Sequence, residues 1–354
     1  MSDSRVRMVF GGGGKYSFAD DLSHTCVLQA DGKVTCWGKG TDDTTGWLGQ
    51  VLDPAVWGDP SKIKALDLDD VKQIAVGPLM TCALLGGVQD GDLICWGGGG
   101  APNGKNRDET TQPVSMLTPV IIPNGETPTQ IVIGVAHACA IVTDGSVYCW
   151  GDGTNGQLGD GRCMNVDAAP QYPAKNIPPV RAVAAGRYHT CALVADYKRA
   201  VWCWGSNVNL SLGIGKTGIP PECPNSDEYG YLSVPAKTIS FGADIRQLVA
   251  GDAFSCLLTE SGTVHCWGLN NSGQLGLSRN DPQELKEPTE VKIDKTITQI
   301  SARRSTTCAL TEDGEVWCWG DNSYGQAGTT TCEQTPLVGD VALPHKVSLV
   351  RPAE

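Results

Sequence analysis

Short apolar runs closed by Gly, Asp or Ser recur along the chain. Five read alike: Ile74-Ala75-Val76-Gly77, Ile131-Val132-Ile133-Gly134, Ala182-Val183-Ala184-Ala185-Gly186, Leu248-Val249-Ala250-Gly251 and Ile300-Ser301-Ala302. After a few turn residues each is followed by a second apolar run that carries a cysteine: Thr81-Cys82-Ala83-Leu84, His137-Ala138-Cys139-Ala140-Ile141, His189-Thr190-Cys191-Ala192-Leu193, Ser255-Cys256-Leu257-Leu258 and Thr307-Cys308-Ala309-Leu310. A Gly-containing turn comes next, then a third run ending in Cys-Trp-Gly. Short β-rich runs at regular spacing between such turns predict strands. Long amphipathic helical patterns are missing. The expected class is all-β.

The triplet Cys-Trp-Gly occurs six times, at Cys36-Trp37-Gly38, Cys95-Trp96-Gly97, Cys149-Trp150-Gly151, Cys203-Trp204-Gly205, Cys266-Trp267-Gly268 and Cys318-Trp319-Gly320. The tryptophans lie 52 to 63 residues apart, which is the range of one propeller blade and longer than most helical solenoid repeats. A fixed period overrides the prior of two or three domains for 354 residues. One domain is expected over 1–354, with repeats centred on Trp37, Trp96, Trp150, Trp204, Trp267 and Trp319.

The hairpin between the two cysteines can be placed more finely. In four repeats the cysteines are ten apart, the midpoint is Asp31, Asp144, Ser261 or Asp313, and Gly32, Gly145, Gly262 or Gly314 follows. This fits a three-residue loop, a type I turn and then a left-handed residue that Gly occupies without strain. That register sets Cys26 opposite Cys36, Cys139 opposite Cys149, Cys256 opposite Cys266 and Cys308 opposite Cys318. Opposed Cα atoms in antiparallel strands are about 4.5 to 5.5 Å apart, within disulfide reach. Cys82 with Cys95 and Cys191 with Cys203 span longer loops that the same pairing survives.

The pattern His-Thr-Cys-Ala-Leu, Asp-Gly-x-Val, Trp-Gly and Asn-x-x-Gly-Gln-Leu-Gly resembles the regulator of chromosome condensation repeat. Its last part stands at Asn155-Gly156-Gln157-Leu158-Gly159, Asn271-Ser272-Gly273-Gln274-Leu275-Gly276 and Asn322-Ser323-Tyr324-Gly325-Gln326-Ala327-Gly328. Two repeats depart, with Trp47 and Ser211 where Gln is expected, and the repeat after Gly97 lacks the motif. The resemblance covers nearly the whole chain and implies a single β-propeller of four-stranded blades. Six blades are expected, with seven as the alternative. The chain starts inside a repeat at Val6–Gly11 and ends near Lys346–Val350. N- and C-terminal strands sharing one blade are therefore expected to close the ring.

Fifteen cysteines leave three beyond the six opposed pairs. Six disulfides imply an oxidising compartment; six buried reduced pairs in a cytosolic propeller are the alternative. Cys163 is expected to pair with Cys223, leaving Cys332 as a free or intermolecular thiol. The opening Met1-Ser2-Asp3-Ser4-Arg5 does not read as a signal peptide. A mature extracellular, cell-surface or periplasmic chain whose Met1 is not native reconciles the two. His24, His137 and His189 each precede a cysteine by two residues, but a blade offers at most three ligands where structural zinc wants four. They read as packed structural residues, and no metal or cofactor is expected.

A net charge of -12, with no basic stripe, argues against nucleic acid as a partner. No apolar run approaches the about 20 residues of a membrane helix. Asp152–Asp160 lacks the spacing of an EF-hand, and Gly11-Gly12-Gly13-Gly14-Lys15 lacks the Ser/Thr and helix of a phosphate loop. No Gly-x-Ser-x-Gly or His-Glu-x-x-His occurs, so no enzyme is expected. Two loop groups remain as protein-binding candidates. The first is the turns after the Gly-ending run, with Arg187, Tyr188, Asp252, Arg303 and Arg304. The second is the long insertions, with Trp47, Trp57, Tyr229 and Tyr231. The resemblance brings in relatives that act on a small GTPase and chromatin, that inhibit β-lactamases, or that form plant receptor ectodomains; fold alone transfers none of these roles. A secreted or cell-surface protein-binding scaffold is expected. A self-associating structural subunit, and a glycan-binding lectin or enzyme at the channel mouth, are the alternatives.

Overall fold

The computed structural model describes residues 6–16, 19–38, 65–78, 80–86, 93–97, 114–166, 170–196, 198–215, 230–277, 282–323, 326–328 and 340–347. The chain forms two compact units, Met1–Thr154 with Leu158–Lys175, and Asn155–Gln157 with Asn176–Glu354.

The first unit holds three antiparallel sheets. The N-terminal one orders β1 (Val6–Tyr16), β2 (Ala19–Gln29) and β3 (Val34–Gly38). The next orders β4 (Val71–Val76), β5 (Thr81–Leu85), β6 (Leu93–Gly97) and β7 (Val114–Val120). The third orders β8 (Pro128–Ile133), β9 (His137–Val142) and β10 (Val147–Gly151). In the second unit one sheet orders β11 (Val180–Ala185), β12 (His189–Val194), β13 (Ala200–Ser206) and β14 (Tyr231–Ser240). Another orders β15 (Ile245–Ala250), β16 (Phe254–Thr259), β17 (Val264–Leu269) and β18 (Glu284–Glu290). The last orders β19 (Ile297–Arg303), β20 (Thr306–Thr311), β21 (Val316–Asp321) and β22 (Asp340–Lys346).

The expected six-bladed ring, with seven blades as its alternative, is not what forms. Among the described residues five sheets follow the blade plan, β4–β7, β8–β10, β11–β14, β15–β18 and β19–β22. In each, a short turn leads from the first strand back to the cysteine strand, so that Ala75 faces Cys82, Val132 faces Cys139 and Ser301 faces Cys308. The N-terminal sheet departs from that plan. There β1 and β2 run on past the turn position as one long hairpin, with Phe10 facing Cys26 and Gly11 to Gly13 pairing with Thr25 to Ser23. Among the described residues the ends do not share a blade either. The C-terminal strand β22 pairs with β21, its neighbour in sequence, and completes that blade instead. The blades are not uniformly four-stranded. Beside β10, among the described residues, two isolated bridges form, Tyr148 with Pro173 and Gly151 with Val166, where Pro170 and Pro173 supply no backbone donor for a continuous ladder.

The hairpin register is as expected. All six cysteine pairs face each other and are disulfide-bonded, Cys26–Cys36, Cys82–Cys95, Cys139–Cys149, Cys191–Cys203, Cys256–Cys266 and Cys308–Cys318, each with Cα atoms 4.1 Å apart. The turn glycines Gly32, Gly145, Gly262 and Gly314 have φ of +81° to +85°. Gly145 N donates to Val142 O and Val142 N to Ser146 O, which defines the three-residue loop. The Asp144 carboxylate braces it by accepting from Ser146 N at 2.8 Å.

Cys and Trp of one triplet point to opposite faces of their strand, as neighbours on a strand must. The cysteines of one sheet therefore pack with the tryptophan of the next. Cys26 and Cys36 share a core with Trp96, Cys191 and Cys203 with Trp267, and Cys256 and Cys266 with Trp319. The indole ends of the tryptophans are equally fixed. Trp204 Nε1 donates to Gln157 O at 2.8 Å, Trp267 Nε1 to Ser211 O at 3.0 Å and Trp319 Nε1 to Gln274 O at 3.0 Å. The acceptor is a backbone carbonyl, which explains why Ser211 can replace Gln without loss of the contact. The loop carrying that carbonyl is itself held by an Asn side chain. Asn207 Oδ1 accepts from Leu212 N and Asn270 Oδ1 from Leu275 N. The last residue of the triplet must be Gly. Gly205 has φ +96°, and a Cβ there would meet Tyr188 O at 2.4 Å.

Candidate functional site

The turn between the first two strands of a blade, termed the inner turn, is closed by a recurring backbone bond, although Arg304 in the β19–β20 turn takes a φ of +50°. Gly186 N donates to His189 O at 2.9 Å and Gly251 N to Phe254 O at 3.0 Å. These turns then join blade to blade within the second unit. Arg187 N donates to Asp252 O and Asp252 N to Arg304 O, both at 2.9 Å. Arg187, Asp252 and Arg304 hold the same position in three successive blades. The result is a backbone ladder that presents Arg, Asp and Arg side by side.

Arg303 adds a third guanidinium from a position that is Gly in the two preceding blades. At Gly251 a Cβ would lie 2.0 Å from the Phe254 ring, and at Gly186 one would lie 2.2 Å from the His189 ring. In the β19–β20 turn the corresponding ring residue is Thr306, paired directly with Arg303. The smaller side chain leaves room for an arginine where its homologues need none. Tyr188 completes the group, with the Arg187 guanidinium over its ring at 4.9 Å, a cation–π contact. All five side chains are half-buried.

Asp252 is the single carboxylate of the ladder. Burial pushes its carboxyl above the usual range, and Arg303, Arg304 and Arg187, in that order of influence, pull it back only in part. Among the described residues of the ladder three cations thus act on one carboxylate, on a chain of net charge -12. These groups can recognise charge and planar hydrogen-bonding partners; no nucleophile–base pair accompanies them among the described residues of the ladder.

The structure thus brings Arg187, Tyr188, Asp252, Arg303 and Arg304 together, all from the first loop group. Of the second group, Tyr231 opens β14 and is 6% exposed, so its ring belongs to the interior. Trp47, Trp57 and Tyr229 lie outside the described residues, as do Cys223 and Cys332. Cys163 is disulfide-bonded.

The three histidines that precede a repeat cysteine by two residues, His24, His137 and His189, are buried. His24 Nε2 is 2.8 Å from Thr81 Oγ1, and His189 Nε2 is 2.9 Å from Ser255 Oγ, both hydrogen bonds from one sheet to the next. Burial holds the His137 imidazole down to about 4. Two couplings escaped sequence reasoning. One is the Asn three residues after the repeat Trp, at Asn207, Asn270 and Asn322. The other is the paired change of Gly to Arg303 and of ring to Thr306. Both are visible once the blades are aligned.

Comparison with known proteins gives a consistent result. The profile of the WD40_RLD family, the RCC1-like domain, matches residues 21–351. The mitochondrial RCC1 domain-containing protein RUG3 of Arabidopsis thaliana is 30% identical over 338 residues, covering 90% of this chain and 70% of that protein. The probable E3 ubiquitin-protein ligase HERC6 of Homo sapiens is 33% identical over 230 residues, but these cover 64% of this chain and only 21% of the ligase. The crystal structure of Prp20p from Saccharomyces cerevisiae, a protein described with binding properties to Gsp1p and histones, aligns with a TM-score of 0.73 at 20% identity. It covers 92% of this chain and 75% of that one, a likeness of fold.

Proposed function

The chain belongs to the RCC1-like domain family, and on that premise we propose that it is a non-enzymatic scaffold that binds a partner protein through the inner-turn ladder of its second unit. The observation that carries this reading is the ladder itself. One backbone ladder, running through three blades, presents side chains that differ from blade to blade, which is the economy of a recognition surface. Arg and Tyr, the residues it displays, are those enriched at interface hot spots. Prp20p, of the same fold, binds proteins, which supports the class of function and leaves the partner open. The ligase activity named for HERC6 is not carried over, because this chain spans 21% of that protein.

The six disulfides within the sheets fit a compartment outside the reducing cytosol, and we place the chain outside the cell or at its surface. Each disulfide closes a short loop and contributes about 2 to 4 kcal/mol in the chain-entropy picture, a stiffening that suits a scaffold. A photoreactive residue in place of Tyr188 tests the binding face. In extract or medium of the native source it should cross-link one protein, while the same group at the exposed Glu312, in the turn between β20 and β21, should not. Absence of a product at position 188, or the same product at both, removes this function. An intact mass that does not change on reduction removes the compartment.

A further inference from the structure

We propose that the Arg187–Asp252–Arg303–Arg304 cluster receives a carboxylate side chain from an acidic segment of the partner protein. This rests on the protein-binding reading above and deepens it.

The chemistry follows from the count and the geometry of charges. Three guanidiniums bear on one carboxylate, so among the described residues of the ladder the cations outnumber the carboxylates. The chain as a whole is strongly negative, so an acidic segment is repelled elsewhere and steered to this spot. The guanidinium fork matches a carboxylate in two parallel hydrogen bonds. The cations are also held in place. Arg187 and Arg304 sit on a ladder of 2.9 Å backbone hydrogen bonds, and the Arg187 guanidinium rests 4.9 Å from the centre of the Tyr188 ring, so little side-chain freedom is lost on binding.

The test uses the intact chain and four labelled peptides of equal length, identical but for a central run of Glu, Gln, Lys or phosphoserine, read by fluorescence anisotropy. The Glu peptide should bind, and tighter in low salt than in high. Arg187→Gln with Arg304→Gln should weaken it about tenfold or more. Asp252→Asn should tighten it several-fold, an effect that a merely structural role would not produce, and circular dichroism checks that each variant is folded. Equal binding of the Glu and Gln peptides, preference for Lys, or weaker binding to Asp252→Asn overturns the proposal. Preference for phosphoserine overturns it in favour of a phosphate. A protein cross-linked at position 188 whose capture is indifferent to the arginine pair leaves the scaffold function standing and removes the carboxylate from it.

Discussion

In the first unit the inner turns read Gly77-Pro78 and Gly134-Val135-Ala136; in the second they read Gly186-Arg187-Tyr188, Gly251-Asp252-Ala253 and Arg303-Arg304-Ser305. The closing backbone bond recurs in both, and of the ladder positions Arg304 alone takes a positive φ, +50°. Gly77 N donates to Met80 O at 2.7 Å and Gly134 N to His137 O at 2.9 Å, matching the bonds at Gly186 and Gly251. The position that is Arg187, Asp252 or Arg304 in the second unit is Pro78 or Val135 in the first. Frame and chemistry are thus separable in this fold. Backbone hydrogen bonds, disulfides and buried tryptophans carry the frame, so the turn side chains can change without altering it. The first unit uses that freedom for apolar residues, the second for a charged cluster.

The largest effect expected from breaking the comparison is on the shared frame. Trp96→Ala in the first unit and Trp319→Ala in the second should each cost about 3 to 5 kcal/mol, since both rings are wholly buried against the preceding sheet's disulfide. Chemical denaturation of the two variants measures it; a large loss in one unit alone would mean that the frame is not equivalent.

Acid should separate the units next. His137 is buried neutral, and its folded value near 4 lies below the unfolded 6.5. The unfolded chain therefore binds the extra proton between these values. Stability is complete above about pH 6.5 and is lost by about 3 kcal/mol as pH falls towards 4. His137→Phe, copying Phe254 in the second unit, should flatten that part of the melting-temperature profile. A profile unchanged by the substitution would place the acid sensitivity elsewhere.

The smallest effect is expected at the ladder. The raised carboxyl of Asp252 means that its charged form is tolerated rather than favoured by the fold. Its contribution is present at acid pH and falls as pH rises through the folded value. Asp252→Asn should therefore leave stability at neutral pH the same or slightly higher, within about 1 kcal/mol. A larger loss would show that the ladder's side chains hold the frame after all.

Much of this was legible beforehand. The cysteine spacing and the Gly after each midpoint place the hairpins residue by residue, and the turn residues Arg187 to Arg304 stand out because they vary on a constant pattern. What could not be read is which side chains meet across blades. Ser211 looked like a broken motif, yet its carbonyl serves Trp267 as Gln274 O serves Trp319. Tyr231 looked like a loop aromatic, yet it is interior.

The sequence by itself determined the hairpins, their disulfides and the family, because these depend on partners about ten residues apart whose register a turn type dictates. Only the tertiary structure decided that β22 completes its own blade, that β1 and β2 extend as a hairpin, and that five sheets follow the blade plan. It also decided that three arginines converge on Asp252. The edge of one short strand offers the same row of donors and acceptors as the edge of another. Which edge a distant strand takes, and which turns then lie side by side, is settled by packing over the whole chain and leaves no local mark.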